Sequence, residues 1–542
     1  MMQLNKKRII CFRKYITLFF LVLLLALYTL NIIINTEYFN ENVDQFAFLD
    51  LGFKISNGDW YLGNQHPLLP ILLAPLSHDL STYLFKAKML VLSLGIISFI
   101  IIYLVALKRF GYIVASLGSV FLIPIIGELS VQVLCEVLLV LWFFLWWHYL
   151  IKALETNETK YFLSAGIFIG LAFFTKASGL LLLFVSIIIF FVYYRKQIVS
   201  KSKDLLILLL PLLVINFPLL IANMLVYGNP FYNKNSAHFM WIDRWDDIYQ
   251  PGFILQGSLW RYLSSHTLYD IFERIIVGVF YTPFNILFVM FIIIAVILLA
   301  LDYKRDKKKY HTHHILINRE TWLISLVFIS SYFIIISWYI YMMRGSQNQR
   351  FIYPVMPILI FLLVEIFLIT IKHFIKINVK LKKKFFYIFS VTMIVLLLLF
   401  NIKMLLTLDY QGIIKVNLKQ QETIKELVLS NYKEAYPVKL LTTGNWFIPR
   451  GEFWSNQIEV KDIEYNIKLD EFEDFIAENG ISYIFINSMV FERREDILNN
   501  YIGFDAIDKL WQIKNVPKNW QLLVKAHEGC TDTYLIFKIL KE

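Results

Sequence analysis

Residues Asn42 to Pro75 read NVDQFAFLDLGFKISNGDWYLGNQHPLLPILLAP and stand between two long apolar runs, near 15–36 and 86–107. Each run holds about the 20 residues that an α-helix needs to cross the hydrocarbon of a bilayer. The quoted stretch, rich in acids, aromatics and prolines, then becomes the first loop on the far side of the membrane. That placement decides the fold: a bundle of spanning helices with its polar chemistry gathered at the ends.

Composition agrees. The chain has 542 residues, of which 58% are hydrophobic and 17% charged, far from the balance of a soluble globular domain. Solid apolar blocks such as YITLFFLVLLLALYTLNIII, FIIIAVILLAL and FFYIFSVTMIVLLLLF imply helices, since barrel strands would alternate. Spans are predicted near 15–36, 86–107, 112–127, 131–150, 161–175, 177–194, 205–226, 274–301, 321–340, 351–371 and 385–406, about eleven crossings. The first follows Lys6, Lys7, Arg8, Arg13 and Lys14; it is too long for a signal-peptide core and lacks a small-residue cleavage pair, so it reads as a retained anchor. Cys11, Cys135 and Cys530 are too scattered for a disulfide framework or a metal-ligand spacing.

The net charge of +11 is explained by orientation. With a cytoplasmic N-terminus, the inner connections hold Lys108 and Arg109, then Arg195, Lys196, Lys201 and Lys203, then DYKRDKKKYHTHH and KHFIKINVKLKKK, as positive loops resist export. Such segments also attract anionic inner-leaflet lipids, and a nucleic-acid partner has no support. HTHH at 311–314 sits beside a lysine run and reads as solvated rather than metal-binding. An odd number of spans in the cell membrane puts the outer loops 37–85 and 227–273 on the same side as everything after residue 406. There, VKLLTTGNW, ISYIFINS and YLIFKIL read as strands, and LDEFEDFIAEN and RREDILNNY as helices, giving a soluble extracytoplasmic α/β domain at 407–542 behind a membrane domain at 1–406.

Acids near a membrane need solvation, a partner or a use. If Asn42 to Ile55 forms a helix along the interface, Asp44 shares a stripe with Ala47, Phe48, Leu51 and Ile55. Its i+4 neighbour is Phe48, whereas Asp50 has Lys54 four residues on and can form a helical ion pair. Asp44 is then either a hydrated or capping acid or a carboxylate in a partly apolar cleft, suited to act as a general base. His66 precedes a run punctuated by Pro67, Pro70 and Pro75, which suits a segment bending back into the membrane surface; it is either an interfacial histidine or a functional one. Glu128 is expected in a short turn between spans, solvated. Glu136, at the start of the next span, either snorkels there or faces a polar cavity. The segment HFMWIDRWDDIYQPGFILQGSLWRY offers rings for sugar faces or, with Trp241, Trp245 and Trp260, an interfacial belt.

In order along the chain stand Asp44, NGDWYLGNQ, His66 with Pro67 and ILLAP, then CEVLLVLWFFL, GIFIGLAFFTKASGLLLL, GNPFY and RFIYPVMPILIFL. This series resembles the polytopic GT-C glycosyltransferases that use polyprenyl-phosphate sugars, the group containing protein O-mannosyltransferases and the aminoarabinose transferases of lipid A. The chain departs from many of them in having His66 in place of Lys and Lys176 in place of Arg. The resemblance implies a GT-C-like helical membrane fold and a lipid-linked sugar donor whose phosphate stays at the outer interface. It also implies a hydroxyl acceptor on an envelope lipid, glycan or protein. Asp44 would take the acceptor proton as general base, and Glu136 would orient the acceptor or support a divalent cation, for which nothing fixes a site. Arg350, with His66 and Lys176 behind it, would stabilise the departing phosphate, while Asp50 and Glu128 would line the substrate region. One base and one in-line displacement imply inversion at the anomeric carbon. Rival readings are a transporter or lipid-linked-glycan flippase, against which stands the lack of an internal repeat, and a non-catalytic envelope glycan-binding protein.

Overall fold

Apolar runs become helices in the order the sequence predicts. The computed structural model describes residues 14–27, 29, 43–58, 65–78, 80–244, 258–281, 289, 291–293, 319–342 and 349–374, and toward the C-terminus 438–442, 458–463, 467–487, 495–505, 510–528 and 532–540. The helices are α1 (Lys14–Leu27), α2 (Val43–Ser56), α3 (Leu68–Leu73), α4 (Leu80–Phe110), α5 (Tyr112–Ser130), α6 (Glu136–Thr156), α7 (Thr159–Thr175), α8 (Leu180–Tyr193), α9 (Ile198–Tyr227), α10 (Leu268–Tyr281), α11 (Arg319–Met342) and α12 (Met356–Phe374). Among the described residues, five of them, α4, α5, α6, α9 and α11, are long and apolar enough to cross a membrane; α1, α7, α8 and α12 contain shorter apolar stretches. The predicted span at 385–406, most of that at 274–301 and the domain boundary at 406/407 lie outside the described residues, so the count of eleven rests on sequence alone.

Helix α6 organises the bundle. It packs on α4, α7 and α11, and its WFFLWW run carries three indoles whose N–H groups need acceptors once enclosed. Each finds a hydroxyl on a different neighbour. Trp142 Nε1 donates to Thr175 of α7 at 3.1 Å, Trp146 to Ser186 of α8 at 2.9 Å and Trp147 to Ser325 of α11 at 2.8 Å. Polar bonds of this kind give helices a preferred rotation where apolar packing alone would leave them free to slide.

One expectation is corrected. Helix α5 runs through to Ser130 with Pro124 inside it, so Glu128 belongs to its last turns and not to a loop. Proline removes one helical bond but does not stop a helix whose neighbours hold it.

Chain connections sort by charge. Lys108 and Arg109 end α4, and Arg195 and Lys196 join α8 to α9, at the end of the bundle opposite the 131–135 and 176–179 connections that follow α5 and α7.

In the C-terminal part, strands β1 (Val438–Thr442), β2 (Ile458–Asp462), β3 (Tyr483–Asn487), β6 (Trp520–Glu528) and β7 (Asp532–Ile539) form one sheet in the order β2-β1-β3-β7-β6. The pairs β1–β2 and β1–β3 are parallel, β3–β7 and β7–β6 antiparallel. A separate hairpin joins β4 (Ile502–Asp505) to β5 (Leu510–Ile513). Alternate residues Ile484 and Ile486, Leu535 and Phe537 pack with Phe472 and Ile476 of a short helix, α13 (Phe472–Glu478). Tyr483, Phe485 and Ile536, on the other face, are buried as well.

Helices α7 and α9 touch backbone to backbone. A Cβ placed on Gly166 would come within 2.4 Å of the Leu208 carbonyl oxygen, and Asn216 of α9 donates its amide to the Gly170 carbonyl at 3.0 Å, the small-residue contact that membrane helices use. Gly166→Val should destabilise the protein by about 1–3 kcal/mol through overpacking. The check is a lowered thermal midpoint in detergent; an unchanged midpoint would refute the close contact.

Candidate active site

Four of the segments singled out in the sequence converge at one connection of the bundle. Glu136 opens α6 and is buried at 2% exposure; its Oε1 accepts from Lys176 Nζ at 2.7 Å. Lys176 reaches it because α7 stops at Thr175: Lys176 is extended (φ −160°, ψ 144°) and a 3-10 turn at Ala177–Gly179 leads into α8. Gly179 is required there, since a Cβ on it would lie 2.3 Å from the Ala172 carbonyl carbon and the Phe173 nitrogen. TKASG is thus a break shaped to turn one ammonium back toward the start of α6.

The third participant comes from far along the chain. Arg350 lies in a 3-10 turn at Gln349–Phe351, close enough for its charge to act on both Glu136 and Lys176. Phe351 lies beside both cations, its ring centroid 5.1 Å from Lys176 Nζ and 5.1 Å from the Arg350 guanidinium carbon. Tyr332 of α11 fixes this turn by donating to the Phe351 carbonyl at 2.6 Å. Both cations act on the Glu136 carboxylate.

His66 borders the same place. Its ring meets Phe173 edge-on at 5.1 Å between centroids, and its Nε2 faces the Asn233 amide at 3.5 Å. Asn233 follows the GNPFY turn, which Asn223 ties down through the Pro230 and Tyr232 carbonyls at 3.2 and 3.1 Å. Burial pushes His66 down to about 4; a backbone hydrogen bond with Phe173 opposes the shift and the charge of Lys176 adds to it. At neutral pH His66 is uncharged, so it offers hydrogen bonds and no positive charge, which amends its expected part as a cation.

The remaining site candidates stand on other elements. Asp44 lies in α2, as the sequence predicts, next to Gln45, whose Oε1 accepts from the backbone N–H of Val133 at 3.0 Å. The start of α2 is thereby fastened to the 131–135 segment that delivers Glu136. Asp50 is held by Lys54 at 3.0 Å, the expected i,i+4 pair. Glu128 accepts from the Tyr353 hydroxyl at 2.5 Å, joining α5 to the start of α12. Trp241 is half-buried and packs on Tyr262 and Trp338, at 6.2 and 5.8 Å. Trp260 is 79% exposed, and Trp245 and HTHH lie outside the described residues.

Among the described residues, no three His, Cys, Asp or Glu side chains come together as metal ligands. Glu136, offered in sequence as support for a divalent cation, is held by an ammonium instead. Sequence reasoning passed over Phe351, Tyr332 and Asn233, none of which carries a signal of its own. It also passed over Lys88 of α4, 1% exposed and without a hydrogen-bond partner among the described residues; a lysine inside an apolar run was the available signal.

Lys176→Met leaves Glu136 buried with its ammonium gone and should cost about 3–5 kcal/mol, whereas Glu136→Gln combined with Lys176→Met should lose far less; a double-mutant cycle by thermal unfolding in detergent checks the coupling, and additive losses would contradict it. His66 gives a pH prediction. Below its ordinary 6.5 the unfolded chain takes up a proton that the folded chain refuses until about 4. Stability should therefore fall as pH falls through that window, by about 3 kcal/mol from this residue alone. In a His66→Gln chain, unfolding midpoints between pH 6.5 and 4 should decline less steeply than in wild type; parallel curves would refute the burial of a neutral imidazole.

Comparison with known proteins agrees with this architecture. Residues 65–221 match the model of the family described as dolichyl-phosphate-mannose-protein mannosyltransferase. A sequence search among curated proteins found no match. Among solved structures, the apo oligosaccharyltransferase of Archaeoglobus fulgidus superimposes with a TM-score of 0.50 at 12% identity, over 93% of this chain and 75% of that one. ArnT of Cupriavidus metallidurans, solved with undecaprenyl phosphate, gives a TM-score of 0.49 at 11% identity, over 95% of this chain and 98% of the other. The first of these likenesses shows a shared fold. The chain is thus a helical membrane protein of GT-C fold with a small C-terminal sheet domain, and its residues 65–221 match the dolichyl-phosphate-mannose-protein mannosyltransferase family.

Proposed function

We propose that this protein is a GT-C glycosyltransferase that moves a sugar from a polyprenyl-phosphate donor to a hydroxyl of a cell-envelope lipid, glycan or protein. The observation that carries the reading is the cluster of Lys176 and Arg350 around buried Glu136. The family match over residues 65–221 supports a lipid-phosphate donor. A membrane domain at 1–406 would do the chemistry on the outer face of the cell membrane, with the N-terminus cytoplasmic and the 407–542 domain outside.

The reaction breaks the bond between the anomeric carbon and the phosphate oxygen. That oxygen keeps the electron pair, and the growing charge on the lipid phosphate is met by Arg350 and Lys176. The acceptor oxygen forms the new bond to the anomeric carbon and gives its proton to the Asp44 carboxylate, because a hydroxyl is a weak nucleophile at its own pKa. Glu136 positions the Lys176 ammonium and orients the acceptor. Neutral His66 donates or accepts a hydrogen bond beside the phosphate, and Asp50 and Glu128 shape the surrounding wall through Lys54 and Tyr353. One displacement inverts the configuration at the anomeric carbon.

Asp44→Asn should reduce transfer at least a hundredfold while the protein still folds and inserts. Envelope lipids, glycans and proteins from cells carrying wild type or variant, compared by mass spectrometry, identify the product; NMR of its glycosidic linkage reads the configuration. Undiminished transfer by the variant would remove Asp44 as the base, and retained configuration would remove the single displacement.

A further inference from the structure

A cavity that the transfer chemistry leaves unused lies between α10, the helical turns just before it and the end of α11. It has a volume of about 260 Å3, and it is lined by Asp243, Arg244, Tyr262, His266, Asp270, Glu273 and Tyr341. That is below the roughly 300–1,000 Å3 of sites for drug-sized ligands and suits a single ring.

A buried arginine supports its floor. Arg274 of α10 is 1% exposed. Its guanidinium lies 4.3 Å from the Trp338 ring centroid, 5.0 Å from Tyr262 and 5.6 Å from Tyr341. Nη2 donates to the Met240 carbonyl at 3.1 Å, Nε to that of Trp338 at 3.3 Å, and Nη1 stands 4.0 Å from Asp243 Oδ1. The cation thus locks the aromatic rings and one rim acid in place from beneath.

The wall is flat and the rim polar. Tyr262 and His266 stack with centroids 3.9 Å apart and planes at 12°. Both histidine nitrogens face oxygens, Nδ1 the Tyr262 carbonyl at 2.9 Å and Nε2 Asp243 Oδ1 at 3.1 Å. Asp270 is turned to its own helix start, accepting from the Thr267 N–H at 2.6 Å and hydroxyl at 2.8 Å. Glu273, one turn further along α10 and exposed, brings a second acid to the rim beside Asp243.

A flat aromatic face edged by carboxylates matches a neutral sugar ring, whose C–H face lies against the rings while its hydroxyls donate to the acids. A phosphate fits it less well, because the three carboxylates outnumber the two guanidinium groups of Arg244 and Arg274. The cavity also lies one layer from the charged cluster. Ile242 and Met342, neighbours in sequence of Asp243 and Tyr341, pack with Tyr339 and Phe351, and the Phe351 ring lies 5.1 Å from both Lys176 Nζ and the Arg350 guanidinium.

We infer that this cavity is a saccharide subsite that holds a neutral sugar ring of the acceptor while a hydroxyl of the acceptor is presented at the cluster. The inference rests on the glycosyl-transfer reading above. It assigns the acceptor a glycan moiety, because in that reading the donor sugar is tied to the phosphate met by Lys176 and Arg350.

Saturation-transfer NMR on the purified full chain in detergent, with a panel of methyl glycosides of neutral hexoses and pentoses, tests it by binding alone. Wild type should contact at least one glycoside through its ring protons. Affinity should drop at least tenfold in Glu273→Ala and in Asp243→Asn, each checked for an unchanged thermal midpoint. Inorganic phosphate should not displace the glycoside. No contact in wild type, equal affinity in both folded rim variants, or displacement by phosphate would overturn the subsite. Loss of the transfer reading would appear elsewhere, as absence of any product, with this binding intact.

Discussion

A carboxylate in the first turn of the most enclosed spanning helix sets the terms for everything around it. Charge taken out of water costs several kcal/mol per ion unless it is met closely, and Glu136 is 2% exposed. Its neutralisation explains why α7 ends at Thr175, why the backbone extends at Lys176, and why only glycine serves at 179. It also explains why a turn more than 170 residues further on must dock Arg350 and Phe351 at the same spot. The indoles of Trp142, Trp146 and Trp147 then hold α6 at the rotation this pairing needs.

The two basic or basic-capable groups beside Glu136 differ in kind. Lys176 keeps its charge because an acid is within 2.7 Å; His66, with an amide and a phenyl ring for neighbours, loses its charge to burial. The cluster thereby concentrates positive charge at the Lys176–Arg350 pair and places an uncharged hydrogen-bonding ring beside it.

Local features were legible in the sequence. The bounds of α2 and the Asp50–Lys54 pair follow from i,i+4 spacing, and the helices follow from apolar run length. Strands β1, β3 and β7 stand out as β-branched and aromatic runs. β2, with the sequence IEVKD, hides its character because it is an edge strand with alternating charges. What sequence could not reveal is pairing across distance: that Glu136 belongs to Lys176, that Tyr353 reaches Glu128, that Trp241 turns inward onto Trp338. Those depend on which helix faces which, set by hydroxyl partners and glycine contacts on several helices at once.

The central claim is that the Lys176–Arg350 pair receives the phosphate of a polyprenyl carrier. Native mass spectrometry of the purified protein titrated with a polyprenyl phosphate measures this without need of an acceptor. The account predicts one bound lipid phosphate on the wild-type chain and at least tenfold weaker binding to a folded Arg350→Met chain, with the dephosphorylated alcohol binding poorly to both. Equal binding of the phosphate by wild type and variant, or of phosphate and alcohol by wild type, would contradict it.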